Sequence, residues 1–259
     1  MNAEARRLLA ILGLLAASPS VGTRLAMGGP PFVTDDPEPV EHRHWEFYVA
    51  SQYAETTDDR SGTAPHFEVN CGAIPDVQLH LIAPMAYDAP GPGSPHYGYG
   101  DTEFGAKYRF IRESASFPQV GIFPLLEIPS GNADRNLGSG HVQAFLPVWI
   151  QRSWGAENRQ WTAYGGGGYD INPGAGNLDW GLLGMVLQRQ VRKDLLLGGE
   201  LYHQSVTIAG GHVDTEFNLG TVVDFGDRHH LLFCAGRSID GPTRAHVYLA
   251  YQLTTGPGQ

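Results

Sequence analysis

The clearest deficit in this chain is hydrophobic continuity. No stretch reaches the roughly twenty apolar residues that a membrane-spanning helix needs, and mean hydropathy is only -0.22. A helical membrane protein is therefore excluded. Cysteine is nearly absent: Cys71 and Cys234 are the whole supply, too few for a disulfide-built domain. They fall in the second and second-to-last strand candidates, and a bridge needs Cα atoms within about 7 Å, so two free, packed thiols are expected. Basic residues are also short, 17 Lys and Arg against 27 Asp and Glu. That balance supplies no basic footprint, and no nucleic-acid partner is expected. Motifs for bound groups are missing as well. The run 165–168 is four glycines without the Lys-Ser/Thr of a phosphate loop. The pairs His42/His44 and His229/His230 have no Cys or carboxylate cluster beside them. No cofactor and no metal site are expected.

What the chain does have is alternation. In residues 212–225, Val213, Thr215, Phe217, Leu219, Thr221, Val223 and Phe225 share one set of alternate positions. Asp214, Glu216, Asn218, Gly220 and Asp224 share the other, with Val222 the one apolar intruder. Successive strand side chains point to opposite faces, so this segment is a ribbon with one greasy face and one charged face. It is also long for a globular strand of five or six residues. A tilted strand crossing an outer membrane uses about nine to eleven, apolar towards lipid and polar towards a lumen. A barrel is compatible with the low mean hydropathy because alternation averages each strand towards zero.

Residues 1–26 read as a signal peptide: Arg6 and Arg7, an apolar core over 8–17 too short to span, then small residues. An exported chain of a Gram-negative bacterium is implied, and loss of three arginines against one glutamate leaves it more acidic. Residues 27–42 hold Pro30, Pro31, Pro37 and Pro39 with Asp35, Asp36 and Glu38. Proline at this density cannot pair in a sheet, so a Pro-rich acidic periplasmic leader is expected, with a plug as the alternative. Strand candidates then cover 43–53, 65–72, 77–87, 99–110, 117–128, 141–152, 159–170, 178–190, 195–207, 212–225, 231–237 and 244–253. The expected fold is all-β, an antiparallel transmembrane β-barrel of about twelve strands, spanning 43–253 with a tail at 254–259. Connections after odd strands are mostly long (56–64, 88–98, 129–140), those after even strands mostly short (73–76, 113–116, 191–194, 226–229), as in barrels with short periplasmic turns and longer outer loops. Pro84, Pro124 and Pro147 interrupt candidate strands and mark expected bulges or ends. The four glycines at 165–168 weaken theirs unless a side chain or another backbone needs the space.

The residues also resemble a family. Thr34-Asp-Asp-Pro-Glu-Pro with Arg43-His-Trp-Glu, the run from Gly100 to Tyr108, Ile128-Pro-Ser-Gly-Asn132 and Phe145-Leu-Pro-Val-Trp149 are similar to outer-membrane proteins of the meta-pathway phenol-degradation type. So are Tyr164-Gly-Gly-Gly-Gly-Tyr169 with Asn172-Pro-Gly, and Leu187-Gln-Arg-Gln190 before Gly198-Gly-Glu-Leu201. The resemblance covers residues 34–253. It implies an outer-membrane barrel serving as a porin-like channel or transporter, with no catalytic residues to carry over and no solute named. One departure is the end of the chain. Such barrels commonly close on an aromatic residue read by the barrel-insertion machinery, whereas here Tyr251 and Leu253 precede six further residues.

The function expected is passive passage of small solutes through a narrow polar lumen in the bacterial outer membrane. Expected partners are outer-membrane lipid, the insertion machinery and an unknown small solute; no reaction is needed. Lumen-lining candidates are Glu46, Asp101, Glu103, Lys107, Arg109, Glu200, Asp214, Glu216, Asp224 and Arg244. Their acidic excess points to mild cation preference. Two other readings stay open: an acyl-hydrolase at the barrel rim using His203 and Ser205, and a closed structural or ligand-binding barrel. A serine nucleophile needs its base within hydrogen-bond reach and a third group to orient that base, and the outward positions of the following strand offer none.

Overall fold

The computed structural model describes residues 30–57, 59–91, 93–156 and 159–257; the expected signal peptide lies outside them. Fourteen strands pair antiparallel throughout: β1 Trp45–Glu55, β2 Asp59–Ile74, β3 Val77–Pro90, β4 His96–Tyr99, β5 Thr102–Ile111, β6 Gln119–Ile122, β7 Leu125–Ile128, β8 Gln143–Trp154, β9 Trp161–Ile171, β10 Trp180–Arg192, β11 Leu195–Gln204, β12 Asp214–Asp224, β13 His229–Asp240 and β14 Ala245–Thr255. β4 and β5 are two halves of one stave, broken at Gly100-Asp101, and β6 and β7 are halves of another, broken at Phe123-Pro124. Counted as staves the barrel has twelve, closed by pairing of β1 with β14 and of β3 with β5.

Alternation holds around the ring. On β10, Leu183 and Met185 are 66% and 61% exposed, while Leu182 and Val186 on either side of them are 8% and 1%. The exposed set includes Phe47, Val49, Leu81, Phe104, Leu146, Leu219 and Leu249. Large side chains face outwards and Glu, Gln, Asn and His are buried, the reverse of a water-soluble sandwich. Exposed aromatics flank the band: Trp45, Phe117, Trp154, Phe225 and Tyr251 near the short-turn end, Tyr97, Tyr99 and Tyr169 near the other. Such girdles sit at the two membrane–water interfaces.

The prolines behave as backbone chemistry requires. Pro124 and Pro147 fall in one junction, one residue out of register with each other, where ladder pairing lapses between Ile122–Val148 and Leu125–Phe145. Neither has an N–H to donate. The four glycines occupy a crowded seam. A Cβ on Gly166 (φ +155°) would stand 2.0 Å from the Val148 carbonyl oxygen, and one on Gly165 2.4 Å from that of Gly184. Two boundaries differ from expectation. The segment expected as a loop at 56–64 is mostly strand, because the β1–β2 hairpin continues to the Glu55–Arg60 pair. The last strand runs to Thr255, into the expected tail. Both cysteines are free thiols.

Candidate functional site: the lumen and the segment inside it

Residues 30–40 of the segment expected as a periplasmic lead-in instead lie inside the barrel, while Glu41 and His42 are exposed at the approach to β1. Thr34 and Asp36 are fully buried, and Phe32 and Val40 nearly so. Proline-rich chain cannot join the sheet, so its backbone donors go to inward side chains. The Val33 and Thr34 amides donate to the Glu200 carboxylate, and the Val40 amide donates to Gln78 Oε1 at 2.9 Å. Its carboxylates find the wall's cations. Lys107 Nζ is 2.9 Å from Asp35 and 3.8 Å from Asp36, and Arg109 is 3.1 Å from Glu38. Glu38 also accepts from the amide nitrogens of Gln119 and Gln151, while the Cys234 thiol donates to the Pro31 carbonyl at 2.8 Å. The alternative plug reading is the one that matches this path.

Glycines make the room. The Phe32 ring tip lies between Gly198 on β11 and Gly220 on β12, where added Cβ atoms would stand 2.9 and 2.8 Å from Cζ. Thr34 rests on Gly184 and Pro37 on Gly121 in the same manner. Around Phe32, Val186, Val222, Leu232, Cys234, Tyr48, Tyr164 and Ala250 form an apolar patch facing the lumen. That patch accounts for Val222, the apolar residue on a polar face. Phe123, Trp149, Leu182 and Tyr202 form a second buried cluster, flanked by Phe145 and Trp180. Buried polar side chains, Glu200, Glu216 and Asn218 among them, face inwards on β11 and β12 too, so the apolar clusters interrupt a wall that is polar elsewhere.

A cavity of about 440 Å³ remains between the leader and the opposite wall. It reaches from the level of Val40, near the short-turn end, to Gln204 at the other. Glu46 and Tyr48 on β1, His66, Glu68 and Asn70 on β2, Gln78 and His80 on β3, and Glu103 on β5 line it. His80 bridges this wall, with Nδ1 2.6 Å from Asn70 Oδ1 and Nε2 2.9 Å from Glu103.

The ten lumen candidates separate by place. Glu46 and Glu103 face the cavity, while Lys107, Arg109 and Glu200 hold the leader. Glu216 lies 3.4 Å from His246, and Asp224 pairs with His230 at 2.7 Å near the short turns. Asp101 and Asp214 brace loops. Asp101 accepts from the Gly131 and Ser139 amides, and Asp214 from Ser238 and Thr243. Arg244 is misplaced by the sequence reading: it is exposed and lies in the connection before β14, one residue short of the ladder that orients side chains. His66, Glu68, Asn70, Gln78 and His80 were missing from that set. Period-two alternation from Phe67 and Leu79 places them on the inward face, the signal that marks them in the sequence.

His203 and Ser205 do not pair as nucleophile and base. His203 Nδ1 lies 2.8 Å from Thr215 Oγ1 on β12, whereas Ser205 Oγ accepts the Gly181 amide at 2.9 Å on the other side. At the short-turn end, Asp76 meets Arg109 at 2.9 Å and Arg112 at 2.6 Å. Hydrogen bonding to Arg112, with help from Arg109, holds its carboxyl below the usual value against partial burial.

No protein-family model matches the sequence, and no curated protein sequence matches it. Solved structures do. The chain is similar to the COG4313 outer membrane channel from Pseudomonas putida F1, with TM-score 0.67 and 16% identity, over 85% of this chain and 98% of that one. It is also similar to the NanC porin, with TM-score 0.53 and 8% identity, over 81% of this chain and 98% of the porin. The fold is that of an outer-membrane β-barrel. At these identities the likeness concerns architecture, and what passes through the lumen has to be argued from this chain's own residues.

Proposed function

We propose that this protein is a channel of the bacterial outer membrane that passes small solutes passively, along the cavity between its leader and the β1–β2–β3–β5 wall. The observation that carries this reading is the uneven filling of the lumen. One half is sealed by Phe32 and the glycines that receive it, and the other keeps a polar cavity running most of the barrel's height. The names of the two structural neighbours, a channel and a porin, agree with it. Membership of the meta-pathway phenol-degradation lineage is part of the proposal, on the residues that resemble it, and does not name a solute.

The test is single-channel conductance of the refolded chain in planar bilayers. Small discrete steps are expected, with reversal potentials that favour cations and shift on neutralising Glu46 and Glu103. Gly220→Leu places a side chain where the Phe32 ring sits, so a several-fold larger conductance is expected. A chain that inserts and stays silent, in both forms, supports a closed barrel and overturns the channel. Lipid hydrolysis abolished by His203→Ala would instead favour the rim-enzyme reading, which the separate bonding of His203 and Ser205 does not support.

A further inference from the structure

We propose that the cavity beside the leader binds a small organic cation bearing a primary ammonium group. This deepens the channel reading by naming a solute class, and the claim that the bound species is a transported one rests on that reading.

Three carboxylates on the wall, Glu46, Glu68 and Glu103, face one cavity. The nearby fixed cations are already matched. Lys107 serves Asp35 and Asp36, and Arg109 serves Glu38 and Asp76. His80 stands between Glu68, at 3.6 Å, and Glu103, at 2.9 Å. No lysine or arginine lies within 4.0 Å of Glu46 or Glu68 among the described residues. Neutral donors hold both in place: the Tyr48 hydroxyl donates to Glu46 at 2.7 Å, and Asn70 Nδ2 donates to Glu68 at 2.8 Å. Those bonds fix the carboxylates in place and bring no counter-charge of their own. Glu46 sits opposite Asn70 and Tyr48 opposite Glu68 in the β1–β2 register, so the two carboxylates are diagonal neighbours on one face.

Tyr248 supplies an independent observation. It is 5% exposed and lines the same cavity, yet its hydroxyl has no hydrogen-bond partner among the described residues. Buried polar groups are nearly always bonded. An ammonium group brings three donors and no acceptor, which suits a cavity lined by carboxylates and an unpartnered phenol oxygen. Tyr48 and Tyr248 line the same cavity, and tyrosine rings attract cations over their faces. A bare metal ion fits less well: no group of three or more His, Cys, Asp or Glu is arranged for one among the described residues, and about 440 Å³ is far larger than an ion.

The experiment is calorimetric titration of the refolded full chain in detergent with three probes of equal size, n-butylammonium, 1-butanol and butyrate. Saturable binding of butylammonium alone is expected. It should weaken about tenfold, the equivalent of one charge-assisted contact, in the Glu46→Gln/Glu68→Gln double variant, and by less in Tyr248→Phe. Equal binding of butanol or butyrate overturns the proposal, as does butylammonium binding that survives the double variant. Should the double variant fail to show the heat-dependent gel shift of a folded barrel, Glu46→Gln and Tyr248→Phe singly carry the same test. The titration needs no current, so a silent barrel that binds butylammonium sinks the channel and keeps the site. A conducting barrel that ignores the probe does the reverse.

Discussion

The two sides of the lumen wall obey the same period-two rule and are built from different side chains. Strands β10–β13 turn Glu200 and Asn218 inwards as well, but it is their Gly184, Val186, Gly198, Gly220, Val222 and Leu232 that make the seat of the leader, with Phe32 at its centre. Strands β1–β3 and β5 turn Glu46, Glu68, Asn70, His80 and Glu103 inwards, and these meet open space. Alternation decides which residues face the lumen. What each inward residue then packs against decides whether glycine or glutamate belongs there, since an inward charge left against the leader's apolar ring would lack a partner and cost several kcal/mol.

The comparison breaks most severely at the ties that cross the lumen. Lys107→Met leaves the buried Asp35 and Asp36 without their cation, and a loss of about 3–5 kcal/mol is expected. Urea unfolding in micelles reads it. Adding Asp36→Asn should restore part of the loss, and a neutral Lys107→Met would show that the leader is not held from this wall. Glu200→Ala removes the acceptor of two leader amides, Val33 and Thr34. A cost of about 1–3 kcal/mol is expected, seen as faster proteolysis of the leader with the barrel intact. Unchanged cleavage would mean that Phe32 alone seats the segment.

A smaller effect belongs to the turn between β2 and β3. Asp76 has its carboxyl pKa depressed by Arg112 and Arg109, so it binds a proton less readily folded than unfolded. Its contribution is present above the unfolded carboxylate value near 4 and is lost as pH falls through the lower folded value. Asp76→Asn, which tolerates the local φ of 64°, should flatten the acid limb of the stability profile while leaving its slope near neutrality alone. An acid limb as steep in Asp76→Asn as in the wild type would contradict this assignment. Smallest of all is Arg244→Gln. The side chain is exposed outside the ladder, so the reversal potential should not move, in contrast to Glu46→Gln; a shift would place Arg244 on the permeation path.

Most of the wall was legible in the sequence. Eleven-residue alternations such as 214–224 announce their faces because every second side chain meets hydrocarbon, and lipid imposes that rule at each strand independently. Short turns such as 193–194 follow from the same register. The boundaries that slipped, the hairpin at 56–64 and the residue Arg244, lie beyond the hydrocarbon, where nothing forces alternation. Legibility ended inside the barrel. The proline-rich acidic leader states that it cannot be a strand, and no more. That it sits in the lumen depends on Lys107, Arg109, Glu200, Gly198 and Gly220, brought around one segment by four different staves counting Gly184. Such a seat is set by contacts remote in sequence, which local periodicity does not record. The sequence by itself determined a lipid-facing barrel with charge turned inwards. Only closure of the ring decided which charges grip the leader and which line the space beside it.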